Sequence, residues 1–264
     1  MGFFDNMKID KLGRDAYNAH VQANDFGRRG KVADARAKYN EAMQLYGKAY
    51  EAGCRKSGIL ISYSVLLMRF GEFERARELM KEISANGGLS EESHFELRVN
   101  YSICLWRLGI LDKAIDTIRY AGKHAKNSSY YSGLCTFLVE LAGRSGELAD
   151  FEEARVVLDE AMEYDDEDAS TLDSYGEYYR QQAIWAQKRG EDFAELRKTS
   201  IDFFERAHKA KPSQITTLHA LARYCIEDGD KARAAQLLDK AIMHYSSKVC
   251  PVSLEELKAM KAGL

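Results

Sequence analysis

Three arginines, Arg28, Arg69 and Arg107, recur at steps of 41 and 38 residues. A guanidinium is planar and always charged, and its fork grips a carboxylate through two parallel hydrogen bonds, so an aligned row would clamp an acidic ligand. Arginine in the last turn of a helix also complements the backbone dipole with no ligand present. Little else in the chain has reactive spacing. His20, His94, His124, His208, His219 and His244 are scattered. There is no H-E-x-x-H pair, G-x-S-x-G elbow, phosphate loop or G-x-G-x-x-G turn. The acidic run Asp165, Asp166, Glu167, Asp168 lacks the alternate ligand spacing and glycine bend of a calcium loop. Acids ahead of a helical stretch favour that helix's N-terminus instead. No catalytic residue, metal site or cofactor is expected, and the chain reads as a non-enzyme.

Charge and cysteine usage narrow the partners. The net charge is −3 and the pI about 6.1. Nucleic-acid binders draw most of their affinity from basic excess, so no nucleic-acid partner is expected. Cys54, Cys104, Cys135, Cys225 and Cys250 are odd in number, widely spaced and free of any C-x-x-C pair. That argues against disulfides and zinc and for buried reduced thiols in a reducing, cytoplasmic compartment. The first eleven residues carry Asp5 and no continuous apolar core, so they do not read as a secretory leader. The longest apolar stretch, Gly58 to Met68, falls short of the roughly 20 residues a membrane span needs. Phe3 and Phe4 are expected to pack on the first helix.

These side chains need a scaffold, and proline usage indicates its type. Only Pro212 and Pro251 occur, where ordinary usage predicts about 13. Since proline breaks helix interiors, the chain reads as mostly helix. A small–bulky–small triplet at steps of four and three then repeats six times. It reads Ala35–Tyr39–Ala42, Ala76–Met80–Ile83, Ala114–Ile118–Ala121, Ala154–Leu158–Ala161, Ser200–Phe204–Ala207 and Ala234–Leu238–Ala241. Such steps share one helical face, and small residues at both ends let a second helix approach closely. Gly30, Gly71, Gly109 and Gly229 lie five residues before a triplet. Each follows another amphipathic stretch, as glycine does just past a helix C-terminus. Each unit therefore reads as helix, glycine turn, helix. Asp150 with Glu153, and Ser253 with Glu256, have capping-box spacing.

These triplets and turns resemble the tetratricopeptide repeat, a helix–turn–helix unit of about 34 residues. The second-helix pattern of small, aromatic, small matches the triplets. The sixth unit carries Leu218, Leu221 and Ala222 before Gly229 at the family's spacing. The fifth carries Leu172, Tyr175, Gly176 and Tyr179, with Pro212 where the family has its proline. The other intervals are longer, and the fifth unit has extra residues around Arg189 to Lys198. The resemblance implies an all-α, right-handed α-solenoid forming one domain over residues 1–264. Its repeats fall near 15–47, 57–88, 93–126, 128–166, 169–212 and 215–247, with a capping helix at 252–262.

The resemblance also implies that first helices line a concave groove that holds a peptide or protein segment. Its positions are Tyr17, His20, Asn24 and Arg28 in the first unit; Ile61, Val65, Met68 and Arg69 in the second; and Val99, Ile103, Trp106 and Arg107 in the third. Glu177, Arg180 and Arg223 extend it into the fifth and sixth. Some family members grip a chaperone's terminal carboxylate with a lysine–asparagine set. Asn24 fits that set, but His20, Ser62, Glu96 and Asn100 do not, so that ligand is disfavoured. The expected function is a protein-binding adaptor. The alternatives are a structural protein that self-assembles into a homo-oligomer and a sensor of a regulatory peptide. The short stretch before Asp15 leaves no room for the DNA-binding module such sensors usually add.

Overall fold

The repeating triplets mark the second helix of six successive helix–turn–helix segments. The computed structural model describes residues 3–264, with side chains from Asn6 onward, so the expected packing of Phe3 and Phe4 lies outside the described side chains. The described residues form thirteen helices. Hairpins pair α1 (Phe3–Arg28) with α2 (Val32–Glu51) and α3 (Ser57–Phe70) with α4 (Phe73–Asn86); α5 (Glu91–Arg107) and α6 (Leu111–Gly122) follow in chain order. Hairpins continue as α7 (Ser128–Ser145) with α8 (Leu148–Tyr164), α9 (Ala169–Lys188) with α10 (Ala194–Ala210), and α11 (Ile215–Glu227) with α12 (Lys231–His244). Last comes α13 (Leu254–Ala262). Both prolines fall between helices, Pro212 after α10 and Pro251 after α12.

All members of the six triplets are buried. Each pairs a small contact point with a filling side chain, and burying a residue such as Ile118, Leu158 or Phe204 stabilises by about 1.5–3 kcal/mol. The four turn glycines are left-handed, with φ of +72° at Gly30, +83° at Gly71, +77° at Gly109 and +80° at Gly229. At Gly71 a side chain would also run into Lys248, 2.7 Å from where its Cβ would lie.

The fourth and fifth segments differ for one reason. Their second helices, α8 and α10, begin six residues before the small residue of the triplet, against three in the others. The extra residues add nearly one turn at the N-terminus. The turn glycine accordingly moves back, to Gly146 (φ +69°) and Gly190 (φ +73°). The expected Asp150–Glu153 capping box is corrected by this extension. Helix α8 starts at Leu148 after Glu147, with no side-chain cap, and Asp150 lies inside the first turn, where it accepts a 2.5 Å hydrogen bond from Ser145. The other two termini behave as read. Ser253 caps α13 by accepting from Glu256 N–H at 3.0 Å, and Asp168 of the acidic run caps α9 by accepting from Thr171 N–H at 2.8 Å.

The chain divides into two units, one of residues 1–108 with 246–249, the other of 109–245 with 250–264. The boundary falls between α5, in the first unit, and α6, in the second. In the first unit α1, α3 and α5 lie side by side, with α2 and α4 packed against them. Its core includes Tyr46, Leu60, Leu66, Leu67, Met80 and Ile83. In the second unit Leu218, Leu221, Leu238 and Leu257 close the C-terminal end, with Lys258 and Lys261 of α13 exposed. All five cysteines are free thiols, four of them buried. Among the described residues no helix is long and apolar enough to cross a membrane.

Candidate ligand-binding grooves

In the first unit, the last turn of α3 carries Arg69, and the buried stripe Leu60, Tyr63, Leu66 and Leu67 fixes how the helix sits. Lys248 N–H donates to the Arg69 carbonyl at 3.0 Å, satisfying one of the acceptors a helix end leaves open. The Arg69 guanidinium lies over the Tyr39 ring, 3.8 Å from its centroid. Tyr39 in turn donates its hydroxyl to Asn24 Oδ1 at 2.6 Å. His20 lies edge-on to Tyr39 and places Nδ1 3.4 Å from the Tyr46 hydroxyl. Burial, helped by the Arg69 charge, holds His20 down to about 4, so at neutral pH it is an uncharged polar group. Burial likewise draws Arg69 below the ordinary arginine range.

Three of the expected residues, His20, Asn24 and Arg69, are therefore gathered around one tyrosine. Tyr17 is exposed on the same helix as His20, one turn before it. Arg28, Arg69 and Arg107 each occupy the last turn of a first helix, as their spacing implies. Arg28 is exposed. Arg107 lies 5.4 Å from the Phe73 ring and 5.5 Å from that of Trp106, so Trp106 and Arg107 form one partly buried patch. Three expected groove positions are corrected: Ile61, Met68 and Val99 are buried, because the inter-helix core claims their faces. Ser62, one of the departures from the lysine–asparagine set, turns its hydroxyl back to the Gly58 carbonyl at 2.9 Å.

Arg69 and Arg107 share one feature. The Nε of each is buried without a hydrogen-bond partner, and neither pairs with a carboxylate among the described residues. Many other arginines do, including Arg55 with Glu82, Arg75 with Glu72, Arg77 with Glu74 and Arg155 with Asp159. A desolvated cation normally demands such a partner.

In the second unit Arg180 is held by Glu177 through two hydrogen bonds of 2.7 and 2.6 Å. Burial opposes the charge, but those bonds outweigh it and leave Arg180 above its ordinary value. Arg180 and Arg223 line a pocket of about 500 Å³ between α9 and α11. Glu177 lies one turn before Arg180 and acts through it. Sequence reasoning missed the other walls of this pocket. Phe193 and Arg197 come from the extra residues of the fifth unit, and Tyr224 from α11. The interval itself was the signal, since an insertion beside a groove position adds wall. Tyr39 was legible only as a core residue; its ring face is buried as expected, and the same ring carries Arg69.

Near the N-terminal ends of the same two helices, Asp173 of α9 accepts hydroxyl hydrogen bonds from Thr216 (2.8 Å) and Thr217 (2.5 Å) of α11. Burial raises its carboxyl to about 6 against the pull of those hydroxyls.

No family model matches the sequence, and no curated protein is similar to it. Solved structures are similar in fold. One is TTC0263, a thermophilic TPR protein of Thermus thermophilus, 16% identical over 79% of this chain and 98% of that one, with a TM-score of 0.56. Another is the human IFIT1 dimer with PPP-AAAA, 18% identical over 78% of this chain and 46% of that one, with a TM-score of 0.57. The likeness, like the helix order, is that of an all-α, tetratricopeptide-like helical repeat protein.

Proposed function

We propose that this protein is an adaptor whose first-unit groove, along α1, α3 and α5, holds a segment of another protein and reads its acidic side chains with Arg69 and Arg107. The observation that carries the reading is the Arg69 guanidinium. It is pinned over Tyr39, with a buried Nε lacking a partner and no carboxylate beside it. A ligand carboxylate at the guanidinium would supply the missing charge, and the ring holds the fork ready for it at little further entropic cost. His20 and Asn24 add neutral polar contacts, and Tyr17 and Trp106 add aromatic surface. The role is binding, not catalysis.

The test is co-purification from native cells with the wild type, with Arg69→Glu plus Arg107→Glu, and with Lys81→Glu on the exposed face of α4 as control. Loss of the partner in the arginine variant alone supports the groove. A partner retained by that variant rejects it, and loss only with Lys81→Glu moves the site to the other face. Light scattering addresses the self-assembling alternative, which a monomer independent of concentration would remove. Anisotropy with an oligoadenylate probe checks the ligand class: binding that disappears with Arg69→Glu would replace the peptide by a nucleic acid.

A further inference from the structure

Past α12 the chain takes a path that the repeat pattern does not require. Residues 246–249 lie within the first unit, although α12 and α13, the helices on either side of them in the chain, belong to the second. They run onto the C-terminal end of α3. Ser247 accepts a hydrogen bond from Val249 N–H at 3.2 Å and closes the segment's own turn. Val249 packs, partly buried, against the first unit's core. The Lys248 stem lies across Gly71, with its Cδ 2.7 Å from where a Cβ on that glycine would be. Nothing lies within 4 Å of the corresponding point at Gly30, Gly109 or Gly229. Those three glycines answer to backbone conformation alone, whereas Gly71 also seats this strap.

The seat adjoins Arg69. A helix leaves its last four carbonyls without partners of its own. In α3 these belong to Leu67, Met68, Arg69 and Phe70. The glycine turn meets the first two: Gly71 N–H reaches Leu67 and Met68, and Glu72 N–H reaches Leu67. The Arg69 carbonyl is met from outside the hairpin, by Lys248 N–H at 3.0 Å. The link runs through the main chain of Lys248, whose side chain is exposed. Last turns fray more readily than helix interiors. Fraying here would move the Cα that carries the guanidinium resting on Tyr39.

We propose that residues 246–249 are the positioning element of the first groove: by holding the last turn of α3 they keep the Arg69 guanidinium on Tyr39, in place for an acidic side chain of the ligand. The strap's part in binding rests on the adaptor reading above, whereas its hold on Arg69 does not. A fork already held in one place loses less freedom on binding than one gathered from many rotamers. The relation is reciprocal, so a ligand on Arg69 holds the strap down by the same factor.

The test compares the full wild-type chain with Lys248→Pro, which removes the N–H, and with Lys248→Gln, the conservative counterpart that keeps the N–H and most of the stem. Residue 248 is exposed and outside every helix, and circular dichroism checks that both variants fold. The first readout needs no ligand. In protein carrying isotope-labelled arginine, the Arg69 Nε–H resonance, identified by its loss in Arg69→Met, is displaced by the Tyr39 ring. It is expected to move toward the exposed arginines in Lys248→Pro and to stay in place in Lys248→Gln. A resonance unmoved in Lys248→Pro overturns the positioning. The second readout is anisotropy of a fluorescein-labelled, Asp-rich peptide. Lys248→Pro is expected to weaken its binding about tenfold, and Lys248→Gln by less than about twofold, as loss of one well-placed charge-assisted contact implies. Equal weakening by the two variants makes the Lys248 charge a direct contact and overturns the positioning. Affinity unchanged in Lys248→Pro overturns the strap's part in binding. A wild type that ignores the peptide overturns the acidic-ligand reading instead, and the resonance then decides the hold on Arg69 alone.

Discussion

The guanidinium of Arg69 lies 3.8 Å from the centroid of the Tyr39 ring, and its buried Nε has no hydrogen-bond partner. Stacking of this kind contributes about 0.5–2 kcal/mol, less than a desolvated cation forfeits when it lacks a carboxylate. In the free protein Arg69 is thus a local liability, and its consequences can be measured.

Arg69→Met keeps the stem and removes the unpaired charge. It is expected to raise stability by about 1 kcal/mol, or roughly 2–4 °C in melting temperature for a chain of this size, while abolishing capture of the partner. Calorimetry and co-purification check the two halves. A variant that loses stability and keeps its partner would make Arg69 a structural residue.

Binding in the first groove should not depend on pH between about 5.5 and 8. His20, held down to about 4 by burial and Arg69, stays neutral throughout that window. Anisotropy with an Asp-rich peptide should therefore give affinities within about twofold across it. Markedly tighter binding at the acid end would require a charged His20 in the site.

Asp173 ties α9 to the start of α11, and its folded-state value of about 6 lies above the ordinary one. The native state then takes up a proton before the unfolded chain does. This group's contribution is fully present below the unfolded value near 4 and is lost as pH rises to about 6. Asp173→Asn removes that dependence. Its melting temperature relative to the wild type should be higher at pH 8 than at pH 4.5, as read by circular dichroism. A pH-independent difference would show that Asp173 ionises normally.

Gly176→Ala should destabilise although it sits in the middle of a helix, where alanine is intrinsically favoured by about 1 kcal/mol. A Cβ there would lie 2.7–2.8 Å from the Phe204 ring, itself the bulky member of the fifth triplet. Overpacking of this kind costs about 1–3 kcal/mol. The same change at Gly58, which has nothing within 4 Å, should be neutral or stabilising. Urea midpoints of the pair compare them directly.

The hairpins were legible in the sequence because their determinants are local. A triplet at steps of four and three shows its shared face within two turns of helix, and a glycine past a helix end announces its left-handed conformation. Ser253 was readable as a cap for the same reason, and the acidic run ending at Asp168 as a group favouring the next helix's N-terminus. Asp150 and Glu153 misled, because capping-box spacing does not say whether the helix has already begun, and the added turn of α8 had. The partners of the charged side chains belong to the tertiary structure. Sequence placed Arg69 and Arg107 in equivalent last turns but could not say that Arg69 rests on Tyr39 of another helix while Arg180 is neutralised one turn away by Glu177. It placed Ile61, Met68 and Val99 in the groove, and packing drew them into the core. Phe193, Arg197 and Tyr224 were brought together by the way an insertion folds back on α11. Helix period and turn chemistry act over a few residues; desolvation and charge pairing are decided by which helix comes to lie alongside.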